Sequence, residues 1–577
     1  MTSTPVHPLP EGASPAAIMR HYDVSDEYFR LWLGDDLVYS CAWWEPDEQP
    51  DALARAQQRK IDFFAERLQV EGARVLDIGC GWGAMLDRFV RVHGAEAGVG
   101  ITLSPAQASF ASTRDVPGVD FRVESWAHHD PSEPYDAIAC VEATEHFASD
   151  QLSPDEKLAV YREFFRRASS WLRPGGRLGL QAICLDGVGH TGSRPRSGPF
   201  TDLILERIFS ESMSASLSEL VLGWETDFEL DELHAHPEHY RRTFRAWALA
   251  HRRHEVRARE LVGEETRRTF ARYLAGGEAL FRLREQTLYR VVLTKRPAPK
   301  RWAITVKPSD VDEDQEAPGA SATAVRAHYD LSNAFYRAWL GPSMMYSSGL
   351  WGQGEDVLPT TADEHDDGGD LEQAHRHKID FFASRVLPDS TPLRVLDVGC
   401  GWGGTLRRLE AKHHVSDAVG LTLSAAQQEF LREHPVPGAE IRLEDWRDHE
   451  PAEKYDAILT FGAFEHFARD GTTGPQRIGA YLHFFRQCWK WLVPGGRLGL
   501  ETIAHDNAPD TSEPLGRGPL GDFVLTLFPE SLCPHLGEIV LGLEPYFEIE
   551  VLRSDGADFA RTFRAWQVAL RDHEEET

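Results

Sequence analysis

The chain has 577 residues, 42% of them hydrophobic and 26% charged, the balance of a globular protein and not of a disordered one. Its 61 basic and 91 acidic side chains leave a net charge of −30, unevenly spread: residues 1–300 carry 36 Lys and Arg against 45 Asp and Glu, the remainder 25 against 46. A nucleic-acid partner, which needs a basic footprint, is excluded on this count, and docking on an anionic membrane is disfavoured.

No run reaches about 18 apolar residues, so stable membrane insertion is not expected. Met1–Gly12 has no basic-then-apolar leader pattern, and the seven cysteines form no CxxC pair, which together read as reduced thiols in a cytoplasmic protein without a disulfide frame or metal site.

In chain order, His21–Ser25 (HYDVS) opens a segment, Tyr22–Trp32, that reads as an amphipathic helix. Arg74–Ile78 is a short apolar run, as expected of a buried parallel strand, followed by helical spacing over Ala84–Val92. Ala97–Leu103 is the next strand, and Ser104–Pro105 the cap and first turn of a helix. Tyr135–Val141 is a strand, Asp155–Leu172 a helix, Pro174–Gly176 a turn, Arg177–Ile183 a strand and Thr287–Lys295 a terminal strand. This alternation predicts an α/β fold with a doubly wound sheet.

The chain then repeats itself. HYDLS returns at His328–Ser332, KIDFFA (Lys60–Ala65) at Lys378–Ala383, VLDIGCGWG (Val75–Gly83) at Val395–Gly403, and TFRAW (Thr243–Trp247) at Thr562–Trp566, with offsets of 307 to 320. A period this long excludes a solenoid and indicates two tandem domains, 1–297 and 323–577, joined by a linker over 298–322. Copy 2 gains 11 residues in the acidic stretch Gln353–Asp370 and lacks a counterpart of Ala248–Arg296. The apolar segment Trp302–Val306 is expected to supply copy 2 with the strand it lacks, and the two copies are expected to contact each other.

Gly79, Gly81 and Gly83 follow a strand and open a helix, the arrangement that lets a ligand approach the backbone and a helix N-terminus. The second strand ends in Gly100-Ile-Thr-Leu-Ser104, and again in Gly420–Ser424, without the acidic residue a dinucleotide site wants; NAD is therefore disfavoured.

Together with YSCAWW (Tyr39–Trp44), GITLSPAQ (Gly100–Gln107) and EATEHF (Glu142–Phe147), these motifs resemble the cyclopropane fatty acid synthase and mycolic acid cyclopropane synthase family, over 18–297 and again over 325–566. The resemblance implies two Rossmann-like class I methyltransferase domains with S-adenosyl-L-methionine (SAM) as methyl donor. By motif it places Tyr39, Ser40, Asp77, Gly79, Gly81, Thr102, Leu103, Gln107 and Trp126 around SAM in copy 1. In copy 2 it places Tyr346, Ser347, Asp397, Gly399, Gly401, Thr422, Leu423, Gln427 and Trp446 there. It implies an alkene that attacks the methyl and leaves a carbocation, with Tyr39, Trp43, Trp44, Phe147 and Glu145 in the motifs that would steady it.

Ring closure in that family uses a bound bicarbonate, and this chain departs from the set that holds it. Copy 1 keeps Cys41, Glu145 and Tyr240 but has Gln181 where His is expected; copy 2 keeps Glu465 and has Ser348, Glu501 and Phe559. Bicarbonate stays an option for copy 1 alone. In copy 2 Glu501 should repel an anion beside Glu465, and either carboxylate is a candidate base. The expectation is carbon methylation of an apolar small-molecule or carrier-bound acceptor (acyl, isoprenoid or polyketide-type). Cyclopropanation in copy 1, N- or O-methylation, and a non-catalytic copy 2 remain the alternatives.

Overall fold

The structure is a computed structural model that describes residues 12–149, 151–185, 203, 207–298, 306–312, 318–330, 332–352, 370–389, 393–505 and 528–573. Two compact units emerge: Met1–Ser309 with Glu548–Arg553, and Asp310–Phe547 with Ser554–Thr577.

In the first unit the expected single helix of the HYD block is two, α1 (Pro15–Tyr22) and α2 (Asp26–Leu33). The break has a local cause. Asp23 caps the end of α1, and Ser25 accepts a hydrogen bond from the Tyr28 N–H at 3.2 Å as N-cap of α2. The same residues in the second unit end one helix at Tyr329 and begin another at Asn333, with Ser332 as cap.

The sheet of the first unit is built from β1 (Arg74–Ile78), β2 (Ala97–Thr102), β3 (Val119–Val123), β4 (Tyr135–Val141), β5 (Leu172–Leu185), β6 (Phe228–Ala235) and β7 (Gln286–Lys295). A short eighth strand, β13 (Val551–Arg553), completes the order β13-β6-β7-β5-β4-β1-β2-β3. Strands β1 to β5 pair in parallel, and β7 runs antiparallel between β5 and β6. The Pro174–Gly176 segment does not precede β5 as a separate turn. It lies inside the strand, where the pairing steps from Tyr135 opposite Leu172 to Ala137 opposite Arg177, a bulge that takes up the extra residues. Along β13, Leu552 stands opposite Leu233, its own sequence counterpart, and covers what would be the exposed edge of β6.

Among the described residues the second unit repeats the parallel half: β8 (Arg394–Val398), β9 (Asp417–Thr422), β10 (Ala439–Leu443), β11 (Tyr455–Phe461) and β12 (Leu492–Glu501), in the order β10-β9-β8-β11-β12. Among the described residues this sheet has no further strand, and the segment expected to supply one, Trp302–Val306, lies almost wholly outside them. Val306 belongs to the first unit, its carbonyl accepting from Arg162 Nη2 at 3.4 Å. Phe244 packs on Tyr273 of the helix Glu255–Arg282 and is 3% exposed, whereas its counterpart Phe563 is 49% exposed.

Candidate active site

Each parallel sheet ends in a glycine loop at its centre. Gly79 and Gly81 have φ of +74° and +52°, but for different reasons. A Cβ on Gly79 would meet Ala143 Cβ at 2.6 Å, whereas one on Gly81 would meet nothing within 4 Å. The first glycine lets two loops pack; the second leaves open space beside the backbone. Gly399 and Gly401 repeat the contrast. Behind the loop, burial pushes the Asp77 and Asp397 carboxyls up to about 7, each partly offset by a buried lysine, Lys60 or Lys378.

At the end of β2, Thr102 Oγ1 donates to Gln107 Oε1 at 2.7 Å and accepts from the Ser104 N–H; Thr422 and Gln427 do the same at 2.6 Å. The Ser104 hydroxyl donates to Asp23 and that of Ser424 to Asp330, so the HYD break is tied to the strand end in both units.

All nine residues expected around SAM in copy 2, Tyr346, Ser347, Asp397, Gly399, Gly401, Thr422, Leu423, Gln427 and Trp446, line one cavity, together with Tyr329, Glu444 and His466. Asp397 Oδ2 is buried there without a partner, an acceptor that SAM's donor groups would satisfy. The residues present therefore fit SAM. In copy 1, Tyr39 stacks 5.7 Å from His21 and meets Trp247 edge-on at 5.4 Å; Ser40 Oγ accepts from Lys60 Nζ at 2.8 Å. Leu103 follows directly on β2, and Trp126 packs on Phe147 and Phe164 at 5.2 and 5.4 Å.

Three of the four residues singled out for chemistry in copy 1 converge on one that was not. Glu142 Oε1 accepts the Cys41 backbone N–H at 2.8 Å and Gln181 Nε2 at 2.6 Å, and Glu142 Oε2 accepts the Tyr240 hydroxyl at 2.5 Å. Three donors around one carboxylate suit its ionised, acceptor-only form. Cys41 contributes through its backbone; burial pushes its thiol up to about 12, so the sulfur stays protonated. Gln181 is fixed by Arg290, a fully buried guanidinium whose Nε donates to Gln181 Oε1 at 2.7 Å and whose Nη2 donates to the Ala42 carbonyl at 3.1 Å.

Glu145 sits three residues on. Its Oε1 accepts the Ile183 N–H at 2.7 Å, and burial, then the charge of Glu142, push its carboxyl up to about 8. Two neighbouring carboxyls are thus held apart in role, Glu142 hydrogen-bonded as an anion and Glu145 protonated at neutral pH. Burial lowers His21 to about 3 and His146 to about 4, so both imidazoles are neutral; His146 Nε2 meets the Tyr22 hydroxyl at 3.2 Å.

The second unit has Gly462 at the position of Glu142, and its carboxylate comes from Glu501 instead. Glu501 Oε1 accepts the Ser348 N–H at 2.9 Å, and Oε2 lies 2.8 Å from Lys378 Nζ. The expected conflict between Glu501 and Glu465 is thereby eased by a buried lysine. Burial pushes Glu465 up to about 7, with Glu501 the smallest of the causes. Phe559, in place of Tyr240, brings no hydroxyl.

Two expectations about the aromatic residues change. Trp43 packs at a tilt against Phe63 and His236 under the Arg290 guanidinium, and Trp44 lies in a separate small cluster with its Nε1 donating to Thr243 at 2.9 Å. The aromatic cluster that holds Cys41 and Tyr240 takes Tyr28, Phe29, Trp32, Trp82 and Trp247, with Tyr22 and Tyr39 packed against it. Glu142, Lys60, Lys378, Asp23, Asp330 and Arg290 went unremarked in the sequence. The repeated KIDFFA and HYD motifs already carried four of them, and the Glu142-to-Gly462 difference inside a matched motif marked a fifth.

The strand order β3-β2-β1-β4-β5-β7-β6, the glycine loop at the end of β1 and the Thr–Gln pair at the end of β2 define a Rossmann-like, SAM-dependent methyltransferase. The family model described as mycolic acid cyclopropane synthetase matches residues 12–291 and again 317–577. The chain belongs to that family, twice over. Cyclopropane mycolic acid synthase 2 of Mycobacterium leprae is 32% identical over 295 residues, covering 48% of this chain and 93% of that protein. The S-adenosylmethionine-dependent methyltransferase UmaA of Mycobacterium tuberculosis is 30% identical over 289 residues, 48% of this chain and 95% of its own. Among solved structures, the cyclopropane synthase MmaA2 from Mycobacterium tuberculosis has a TM-score of 0.44 at 29% identity, covering 49% of this chain and 99% of that one. No helix among the described residues is long and apolar enough to cross a membrane.

Proposed function

We propose that the protein transfers a methyl group from SAM to a carbon of an apolar alkene, an acyl, isoprenoid or polyketide-type chain, and releases a proton without closing a ring. When bound, SAM supplies an electrophilic methyl on a sulfonium. The observation that carries the reading is the character of the first unit's interior: a buried cluster of aromatic rings with carboxyl groups beside it and imidazoles held neutral far below pH 7. An alkene needs no base before it attacks, and it leaves a cation that ring faces and a carboxylate steady in a dry pocket. An amine or alcohol acceptor would instead call for a base ahead of transfer, a part that His21 and His146 are too weakly basic to take. The named activity of the relatives on mycolic acids supports an acyl chain within this class.

Mass spectrometry of products formed with CD3-labelled SAM and candidate alkenes tests it. Retention of three deuteriums is expected. Two deuteriums with a new ring would make the enzyme a cyclopropane synthase, and label on nitrogen or oxygen would overturn the reading.

A second reading concerns the second unit alone, as a SAM-holding module that does not turn over. It is favoured by Phe559 and Gly462 at the positions of Tyr240 and Glu142, and by the exposure of Phe563. Glu142→Gln and Glu501→Gln, made separately, decide it: a fall in product with the first alone makes the second unit non-catalytic.

A further inference from the structure

We propose that each unit fills its anion position with a carboxylate of its own chain, Glu142 in the first and Glu501 in the second, and that Glu142 is the proton acceptor of the first unit. The inference deepens the alkene-methylation reading and rests on it for the chemistry, though not for the geometry.

Three observations carry it. First, the donors that would otherwise receive a small anion are already taken. The Cys41 N–H, Gln181 and Tyr240 all point at Glu142, with contacts of 2.8, 2.6 and 2.5 Å, so a free carboxylate-sized ion has no donor left among them. Second, the backbone at Glu142 is strained. Its φ is +53°, a region a side chain with a Cβ seldom adopts, while the second unit has Gly462 there at +66°. Glycine would relieve the strain, so a glutamate kept in this conformation marks a role for its side chain. Third, the two units reach the same charge by different routes. Where position 142 is Glu, position 181 is the neutral Gln; where the counterpart is Gly462, the other is Glu501, and the backbone N–H of Ser348 meets it at 2.9 Å as that of Cys41 meets Glu142. One carboxylate per site is retained although its place in the sequence has moved. Gly462 lies on the wall of the cavity that holds the SAM residues, which puts the Glu142 position beside the reacting space.

In the first unit the acceptor's π pair forms the new carbon–carbon bond and leaves a carbocation on the neighbouring carbon. Glu142 takes a proton from a carbon beside that cation, the C–H pair closes into a new double bond, and the carboxylate becomes a carboxylic acid that returns its proton to solvent before the next turnover. Gln181 and Tyr240 position the carboxylate, and Arg290 positions Gln181.

The test uses the full chain and 13C-labelled bicarbonate, followed by 13C NMR. Wild type is expected to bind none. Glu142→Gly, which leaves the three donors unpaired, is expected to bind one equivalent, and Glu142→Gly with Glu501→Gln two. Binding of bicarbonate by wild type would overturn the proposal. So would its absence from Glu142→Gly when circular dichroism and S-adenosylhomocysteine binding show that variant folded. With a turned-over alkene in hand, Glu142→Gln is expected to lose about 10²-fold in rate, the usual contribution of a positioned base, at unchanged S-adenosylhomocysteine affinity; an unchanged rate would remove Glu142 as proton acceptor. A ring or N-methyl product would sink the methylation reading while leaving the bicarbonate titration to decide this one.

Discussion

Tyr240 donates its hydroxyl to Glu142 at 2.5 Å, and the second unit has neither partner, Phe559 and Gly462 standing in their places. The two side chains, 98 residues apart, behave as one feature that is present or absent whole. Either alone would be costly, because a buried carboxylate oxygen or phenol without its partner keeps its desolvation penalty.

Tyr240→Phe should therefore destabilise the first unit by about 2 kcal/mol, the cost of an unsatisfied buried acceptor. Burial already raises the Glu142 carboxyl, and the tyrosine hydroxyl is the largest influence opposing that rise. Its loss should raise the carboxyl further, moving the acid limb of the rate profile to higher pH. A pH–rate series on the variant reads this directly, and a limb that stays put would show that Glu142 is not the titrating group.

Glu145 gives a pH dependence of opposite use. Its folded pKa, about 8, lies above the ordinary carboxyl value, so the folded state binds the proton more tightly than the unfolded chain. The associated stability is fully present below about pH 4.5 and is lost as pH rises through 8. Glu145→Gln, which cannot ionise, should melt increasingly above wild type as pH climbs across that window. Melting curves at several pH values check it; parallel curves would mean that Glu145 is ionised in the folded protein.

The two glycines of the loop should separate stability from binding. Gly79→Ala forces a Cβ to 2.6 Å from Ala143 and should lower the melting temperature of the first unit. Gly81→Ala has room and costs only the left-handed backbone, about 1 kcal/mol, but its methyl enters the open space beside the loop. Calorimetric titration with S-adenosylhomocysteine should show the larger loss of affinity for Gly81→Ala among variants that remain folded.

Arg290 is fully buried and holds Gln181 and the Ala42 carbonyl at once. Arg290→Met leaves two buried acceptors unsatisfied and should cost the first unit about 2 kcal/mol, seen as an early transition in a denaturant titration. Arg290→Lys should recover little of it, since an ammonium cannot reproduce the planar fork that spans both acceptors.

The sequence by itself determined the duplication, the parallel strands at Arg74–Ile78 and Tyr135–Val141 and the glycine loops, because each depends on residues close in sequence whose spacing is their geometry. It did not determine the break at Asp23, where a helical pattern continues through a residue held by a serine 81 positions away. Nor did it reveal that Val551–Arg553 completes the sheet of the first unit, since a three-residue strand has no period to read. Above all it did not single out Glu142. One acidic residue beside Glu145 in EATEHF looks like surface charge until the chain brings Cys41, Gln181 and Tyr240 to it from 101, 39 and 98 positions away. Burial and hydrogen bonding turn a carboxylate into a reactive group, and both are set by neighbours that only the tertiary structure assembles.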